Sequence, residues 1–361
     1  MIANTIHLSF KEDINMCNDT AVIIWTNLTV TILSELSEND TTTLKEIEFW
    51  VDGVIGTTIA TLGIPINSLT IFILRTKPSL KHVSTGLVCS LLVADTLFLA
   101  CKIMNNLYWD FNIASLGPLV GYVLIPLEKT FLTMTIFITV GIAHQGSAMA
   151  KDFEGYEKIS SHQRSRRLKI LSYILPVVVA SLVINIPLFF GYEFVDGHVR
   201  DTEVRKNFHF IVLYNNFVRN ILTVFAPITL LVFYNWNIYI FIREMYKEIE
   251  EWDMDEAVRS QNKMHAKILF IIILMFIICH SPRCFLKFYR GFHEPYWIKT
   301  LFSLSRTLIT FDKATTGIIY IIKMRKIQMY LYELFEAFCS VRKSQPRNPS
   351  HCTSVTFINK I

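Results

Sequence analysis

Among the ionisable side chains that interrupt the apolar stretches of this sequence, eight are the candidates for chemistry: Asp95, Glu128, Lys129, His280, Arg283, Arg306, Asp312 and Lys313. A charge left alone at the centre of a bilayer costs roughly 2.5–3.5 kcal/mol on insertion scales, so each must pair, reach water or meet a ligand. Two uses suit such residues: internal ion pairs, or the polar lining of a pocket or path. Catalysis is not indicated, because no nucleophile with its base and no paired metal ligands stand at useful spacing. The seven cysteines, at 17, 89, 101, 279, 284, 339 and 352, include no CxxC pair, which argues against zinc. An enzyme is therefore not expected, and neither is a cofactor.

The elements that must carry these residues follow from composition. Apolar and aromatic residues make up 52% of the 361-residue chain and charged ones 18%, against roughly 25% in an ordinary soluble domain. The apolar residues gather into runs of 20 or more, the length that crosses about 30 Å of hydrocarbon at 1.5 Å per residue. Spans are predicted near 54–75, 83–105, 119–146, 168–192, 209–242, 266–289 and 298–322. The fold class is all-α, a seven-transmembrane helix bundle with a short amphipathic eighth helix. Polar interruptions in the third, fifth and sixth spans must face its interior. The net charge is only +5 and the basic residues lie in the gaps between runs, so nucleic acid is not a partner.

Those gaps set orientation. Arg75, Lys77 and Lys81, then Lys151 to Lys169, then Arg243 to Lys267, and the tail from Lys323 fall on one side, whereas residues 1–50 hold only Lys11 and Lys45. The bias predicts a plasma-membrane protein with a cytoplasmic C-terminus. Three glycosylation sequons, at Asn18, Asn27 and Asn39, lie in the same N-terminal tail and agree with an extracellular N-terminus. Lys11, Glu12 and Asp13 stand where a cleavable signal would need its apolar core, so the first span is expected to direct insertion. Residues 1–50 read as an extracellular tail, 51–325 as the bundle and 326–340 as an amphipathic helix on the inner surface. The last rests on the helical spacing of Ile327, Leu331, Leu334, Phe335 and Phe338. Cys339 is a palmitoylation candidate, and 341–361 reads as a disordered cytoplasmic tail. The segment REMYKEIEEWDMDEA after the fifth span, with opposite charges three and four apart, is expected to continue that helix.

Several marks resemble the rhodopsin family of G-protein-coupled receptors: Gly63 to Asn67, Leu91 to Asp95, Pro227 with Asn235, Cys279-His280-Ser281-Pro282-Arg283, and Gly317 to Tyr320. Asn185-Ile186-Pro187-Leu188-Phe189-Phe190 and the run from Ile278 to Arg283 are similar to the invertebrate FMRFamide-type neuropeptide receptors. The resemblance covers about residues 50–340. It implies an extracellular neuropeptide ligand, with a small chemosensory molecule as the alternative, and a heterotrimeric G protein as the cytoplasmic partner. The departures are specific. Gln145-Gly146-Ser147 replaces the family's Asp/Glu-Arg-Tyr, Gly121 falls where its disulfide cysteine would be, and the loop 193–208 has no cysteine. The fourth span lacks a tryptophan, and Thr316-Gly317 replaces Asn-Pro. A receptor that binds without coupling is thus a second reading, and a transporter or channel along Asp95, Glu128, Asp312 and Lys313 a remote one.

What the resemblance implies can be carried to single residues. Asp95 matches the position where the family binds sodium; Lys313 is expected to replace that cation by pairing with Asp95, with Asn67 and Thr135 as supporting partners. The competing arrangement pairs Lys313 with Asp312. Glu128 lies at the level of the ligand pocket, where it meets either a cationic ligand group or an internal partner among Lys129, Arg283 and Arg306. His280 stands where the family has a tryptophan beneath the pocket, and Lys129, Arg283 and Arg306 are with it and Glu128 the candidate ligand-binding residues. Gln145, Gly146, Asn235 and Tyr320 are the candidates for the switch on the G-protein face, with Pro227 and Pro282 as hinges.

Overall fold

The computed structural model describes residues 46–76, 83–151, 163–207, 209–247, 268, 270–283, 285–286, 296–324, 327–333 and 336. Five of its helices are long and apolar enough to cross a membrane or overlap one that is: α1 (Glu46–Thr76), α2 (Val83–Trp109), α3 (Ala114–Ala148), α4 (Arg164–Phe190) and α5 (Ala226–Lys247). A shorter apolar helix, α6 (Phe270–Arg283), and a 28-residue helix, α7 (Tyr296–Lys323), complete the all-α bundle. Helices are what the sequence must form here, because every backbone donor and acceptor in hydrocarbon needs a partner within its own segment.

The elements start and stop close to where hydropathy puts them, with informative exceptions. α1 begins at Glu46 rather than 54, through wide π-type turns over Phe49–Ile55, and α2 runs on to Trp109. Both extensions carry polar residues that pair with one another. Similar wide turns, Phe210–Val218 and Ile221–Phe225, lead into α5. The sequons, Cys339 and the segments 341–361 and 248–257 lie outside the described residues. Of the expected amphipathic helix, 327–333 is helical, with Ile327 fully buried against α2 and α7 residues and Met329 and Tyr332 exposed.

α2 is the central rod and packs on α1, α3 and α7, while α3 packs on α2, α4 and α5. In α2, 61% of the most apolar window is buried, against 17% in α4. The consequence shows on α4, where Leu168, Leu171, Leu175, Val179, Leu182 and Val183 all face outward. A stripe of that kind suits hydrocarbon rather than water. Two large apolar clusters fill the interior, one around Leu91, Ile138, Ile272 and Tyr320, the other around Phe98, Leu132, Phe276 and Ile309.

α1 and α7 approach closely, and glycine permits it. A Cβ added at Gly63 would stand 2.6 Å from Ala314 Cβ, and one at Gly317 would stand 2.6 Å from Asn67 Oδ1. Asn67 uses that contact: its Nδ2 donates to the Lys313 carbonyl at 2.9 Å, and the Gly317 N–H donates to its Oδ1 at 3.2 Å.

Between α4 and α5 the chain makes an antiparallel hairpin, β1 (Tyr192–Val195) and β2 (His198–Asp201), which hydropathy alone did not foresee. Its turn is Asp196-Gly197, with φ of 52° and 81°, the left-handed pair that an Asp-Gly two-residue turn supplies. The hairpin is tied to the bundle without covalent linkage. The Val199 N–H donates to Tyr108 Oη at 3.0 Å, and the Phe194 N–H donates to Tyr122 Oη at 3.3 Å. Val199 also packs on Gly121, where an added Cβ would lie 3.3 Å from its methyls.

Candidate functional site

Three polar clusters stand inside the bundle. The first lies at the hairpin end, between α1, α2 and α7. Asp52, 6% exposed, meets Lys102 Nζ at 2.8 Å and Arg306 Nε at 2.8 Å, and Arg306 reaches Glu48 at 3.8 Å. Asn106 Nδ2 donates to the Asp52 carbonyl at 2.7 Å and to Thr57 Oγ1 at 3.0 Å, while Thr307 donates to the Val51 carbonyl. Asp110, just past the end of α2, sits against Gly53 beside this cluster. Burial, with the carboxylate of Asp52 nearby, raises its carboxyl to about 6. The extensions of α1 and α2 exist to carry this network.

The second cluster joins α2 to α3 beside the first, since Asn105 stands on α2 between Lys102 and Asn106. Glu128, 7% exposed, accepts from Asn105 on one carboxylate oxygen and from Lys129 on the other. Neighbours in a helix do not ordinarily face each other, and the long lysine side chain must fold back to make this contact. A small cleft opens beside it between α3, the turns before α5, and α6. It is lined by Leu132, Thr133, Ile136, Arg219, Thr223, Val224, His280 and Arg283. Asn185, wholly buried in α4, braces the α3 side by donating to Thr133 Oγ1 at 3.0 Å.

The third cluster joins α2, α6 and α7. Lys313 Nζ lies 2.8 Å from Asp312 Oδ2 and 3.9 Å from Asp95 Oδ1, all three being 5% exposed or less. His280 Nε2 stands 3.5 Å from the same Asp312 oxygen, and its ring stacks on Phe276 at 4.0 Å. Lys313 Nζ in turn lies over the Phe276 ring, 5.1 Å from its centroid. The lysine therefore sits between two carboxylates and an aromatic face, closer to its sequence neighbour Asp312 than to Asp95.

Several expectations change in the light of these distances. Asn67 supports the main chain of α7 rather than the ion pair, because both ends of its amide are taken by Lys313 and Gly317 backbone groups. Thr135 does not serve the pair: its hydroxyl donates to the Leu132 carbonyl in its own helix. Arg306 is drawn to Asp52 rather than Glu128, which leaves Arg283 and His280 as the expected pocket residues that line the cleft. Gln145, Gly146, Asn235 and Tyr320 are all buried, and no hydrogen bond joins them among the described residues. Tyr320 packs in the apolar cluster with Leu91 and Ile272. The residue before Gln145, His144, bonds Tyr173 Oη at 3.0 Å and stacks edge-on against Tyr234, linking α3 to α4 and α5.

Sequence reasoning missed Asp52, Lys102, Asn105, Asn106 and Arg219. Arg219 carried a usable signal, since it is a lone charge inside the predicted fifth span and is 8% exposed. Asp52 carried none, because it stood outside the predicted first span. Among the described residues no group of three or more His, Cys, Asp or Glu side chains is placed to hold a metal ion.

No family model matches the chain. Among curated proteins it is similar to the FMRFamide receptor of Drosophila melanogaster, 23% identical over 331 residues. That match covers 86% of this chain and 57% of the relative, so the chain spans little more than half the relative's length. Together with the long apolar helices, the likeness supports a membrane-embedded protein distantly related to G-protein-coupled receptors.

Proposed function

We propose that this chain is a rhodopsin-type seven-span receptor. On this reading it recognises an extracellular peptide through the cleft between α3, α5 and α6, and passes a conformational change to a cytoplasmic heterotrimeric G protein. The observation that carries the reading is the likeness to a peptide receptor over most of a chain built of long apolar helices. In this orientation the hairpin end faces outward with the N-terminal tail and its sequons Asn18, Asn27 and Asn39, and the basic loops and Cys339 face the cytoplasm. The Asp95, Asp312, Lys313 and His280 cluster lies below the cleft and ties α2, α6 and α7 in one state. A ligand that prefers another arrangement of α6 works against those contacts, which is how binding shifts the population.

The test is surface expression of the tagged chain with a promiscuous G protein, challenged with a panel of short peptides that includes Phe-Met-Arg-Phe-amide. Peptide binding accompanied by a second-messenger response supports the receptor; an absence of both across the panel opposes it. Binding without a response supports the second reading, a receptor that does not couple. That reading is favoured by Gln145-Gly146-Ser147, with Gln145 buried, at the end of α3 where the related receptors use an arginine.

A further inference from the structure

We infer that a groove between α4 and α5 seats one anionic phospholipid of the leaflet at the start of α4. Both helices pack on α3, which forms the floor between them. Towards the hairpin the groove is closed, because Tyr214 Oη donates to the Ile184 carbonyl at 2.6 Å. Its other end is open. There His144 of α3 stays exposed, although it bonds Tyr173 of α4 at 3.0 Å and stands edge-on to Tyr234 of α5, with ring centroids 5.4 Å apart. From Tyr173 to Ile184, α4 rises roughly 16 Å at 1.5 Å per residue, about half the ~30 Å of a hydrocarbon core. The groove is therefore as deep as one leaflet.

Its mouth is polar and its walls are apolar. An exposed imidazole on the side of a membrane helix calls for a polar partner. Beside it, Lys169 Nζ lies 5.8 Å from the centroid of the Tyr173 ring, so an ammonium, a phenol hydroxyl and an imidazole converge at the open end. Arg164 and Arg167, both exposed, stand in the first turns of the same helix. Pro176, Ala180 and Val183 follow Tyr173 at three- and four-residue spacing, which puts them on its edge of α4. Opposite, Phe233 packs edge-on against Tyr234. Val183 and Phe233 are each more than half exposed. A phosphodiester over an acyl chain fits this order of chemistry. An anionic headgroup suits it better than choline or ethanolamine, whose own cation would meet Lys169 and the arginines. A second copy packed on the same groove would set these cations against themselves.

The experiment places the full chain in nanodiscs of phosphatidylcholine with a minority of phosphatidylserine, and native mass spectrometry identifies the lipid that stays bound. The natural chain should retain phosphatidylserine over phosphatidylcholine at least about tenfold beyond their ratio in the disc. Lys169→Gln and Tyr173→Phe should each cut that preference several-fold, and Lys169→Arg should keep most of it. Val183→Trp fills the slot without touching a charge and should release the lipid. Lys323→Gln removes an exposed cation from the end of α7, on the same side of the bundle, and should change nothing. The inference is overturned if phosphatidylserine is retained no better than phosphatidylcholine, or if Lys323→Gln lowers the preference as much as Lys169→Gln, which would mean a general attraction to the basic side. Paired copies of the chain that Val183→Trp separates would overturn it as well, by giving the groove to protein. None of these readouts involves a peptide or a G protein, so the lipid seat and the receptor reading stand or fall apart.

Discussion

The α1–α2–α7 side of the bundle and the α3–α5–α6 side handle buried charge in opposite ways. On the first, Asp52 is matched by Lys102 and Arg306, Asn67 closes both ends of its amide on α7, and the backbones touch across Gly63 and Gly317. On the second, the buried cations Arg219 and Arg283 border a small cleft, and Glu128 beside them is held by Asn105 and Lys129. Charge fastens helices on one side and lines an opening on the other.

That contrast can be broken from the scaffold side. Asp52→Asn leaves Lys102 and Arg306 facing a neutral amide in a buried site. It should lower stability by about 3 kcal/mol, the low end for such breaks because Arg306 reaches solvent, as read by thermal unfolding in nanodiscs. Gly317→Val forces α7 away from Asn67 and should cost about 2 kcal/mol by the same measurement. From the working side the effect on folding should be small or of opposite sign. Arg283→Gln relieves repulsion from Arg219 and Lys129 and should change stability by less than about 1 kcal/mol. A destabilisation as large as that of Asp52→Asn would erase the distinction between the halves.

The smallest effect is a dependence on pH at the hairpin end. Asp110 is raised in the folded chain, so between about 4 and 6 the folded state binds more protons than the unfolded one. Stability should therefore fall as pH rises through that window and be greater at pH 5 than at pH 7. The change should be on the order of 1 °C in melting temperature and should vanish in Asp110→Asn.

The apolar runs were legible because bilayer thickness leaves few choices of element and length. Less legible was anything set by contacts far apart in sequence. Lys313 could be placed at the depth of Asp95, yet its distances of 2.8 Å to Asp312 and 3.9 Å to Asp95 depend on the rotation of α7, which no periodicity fixes. Asp52 stands outside the predicted first span, where hydropathy fades and a charge looks ordinary, so nothing marked the partner that Lys102, inside the predicted second span, would find. The hairpin was missed even though Asp196-Gly197 is a strong two-residue turn signal between short β-prone runs.

The tie between that hairpin and α2 and α3 is made of two tyrosine hydroxyls and a valine resting on a glycine. It contains no sulfur, and so has no redox potential. The hold of this hairpin on the bundle needs no oxidising compartment to form, and a reducing medium leaves these contacts in place.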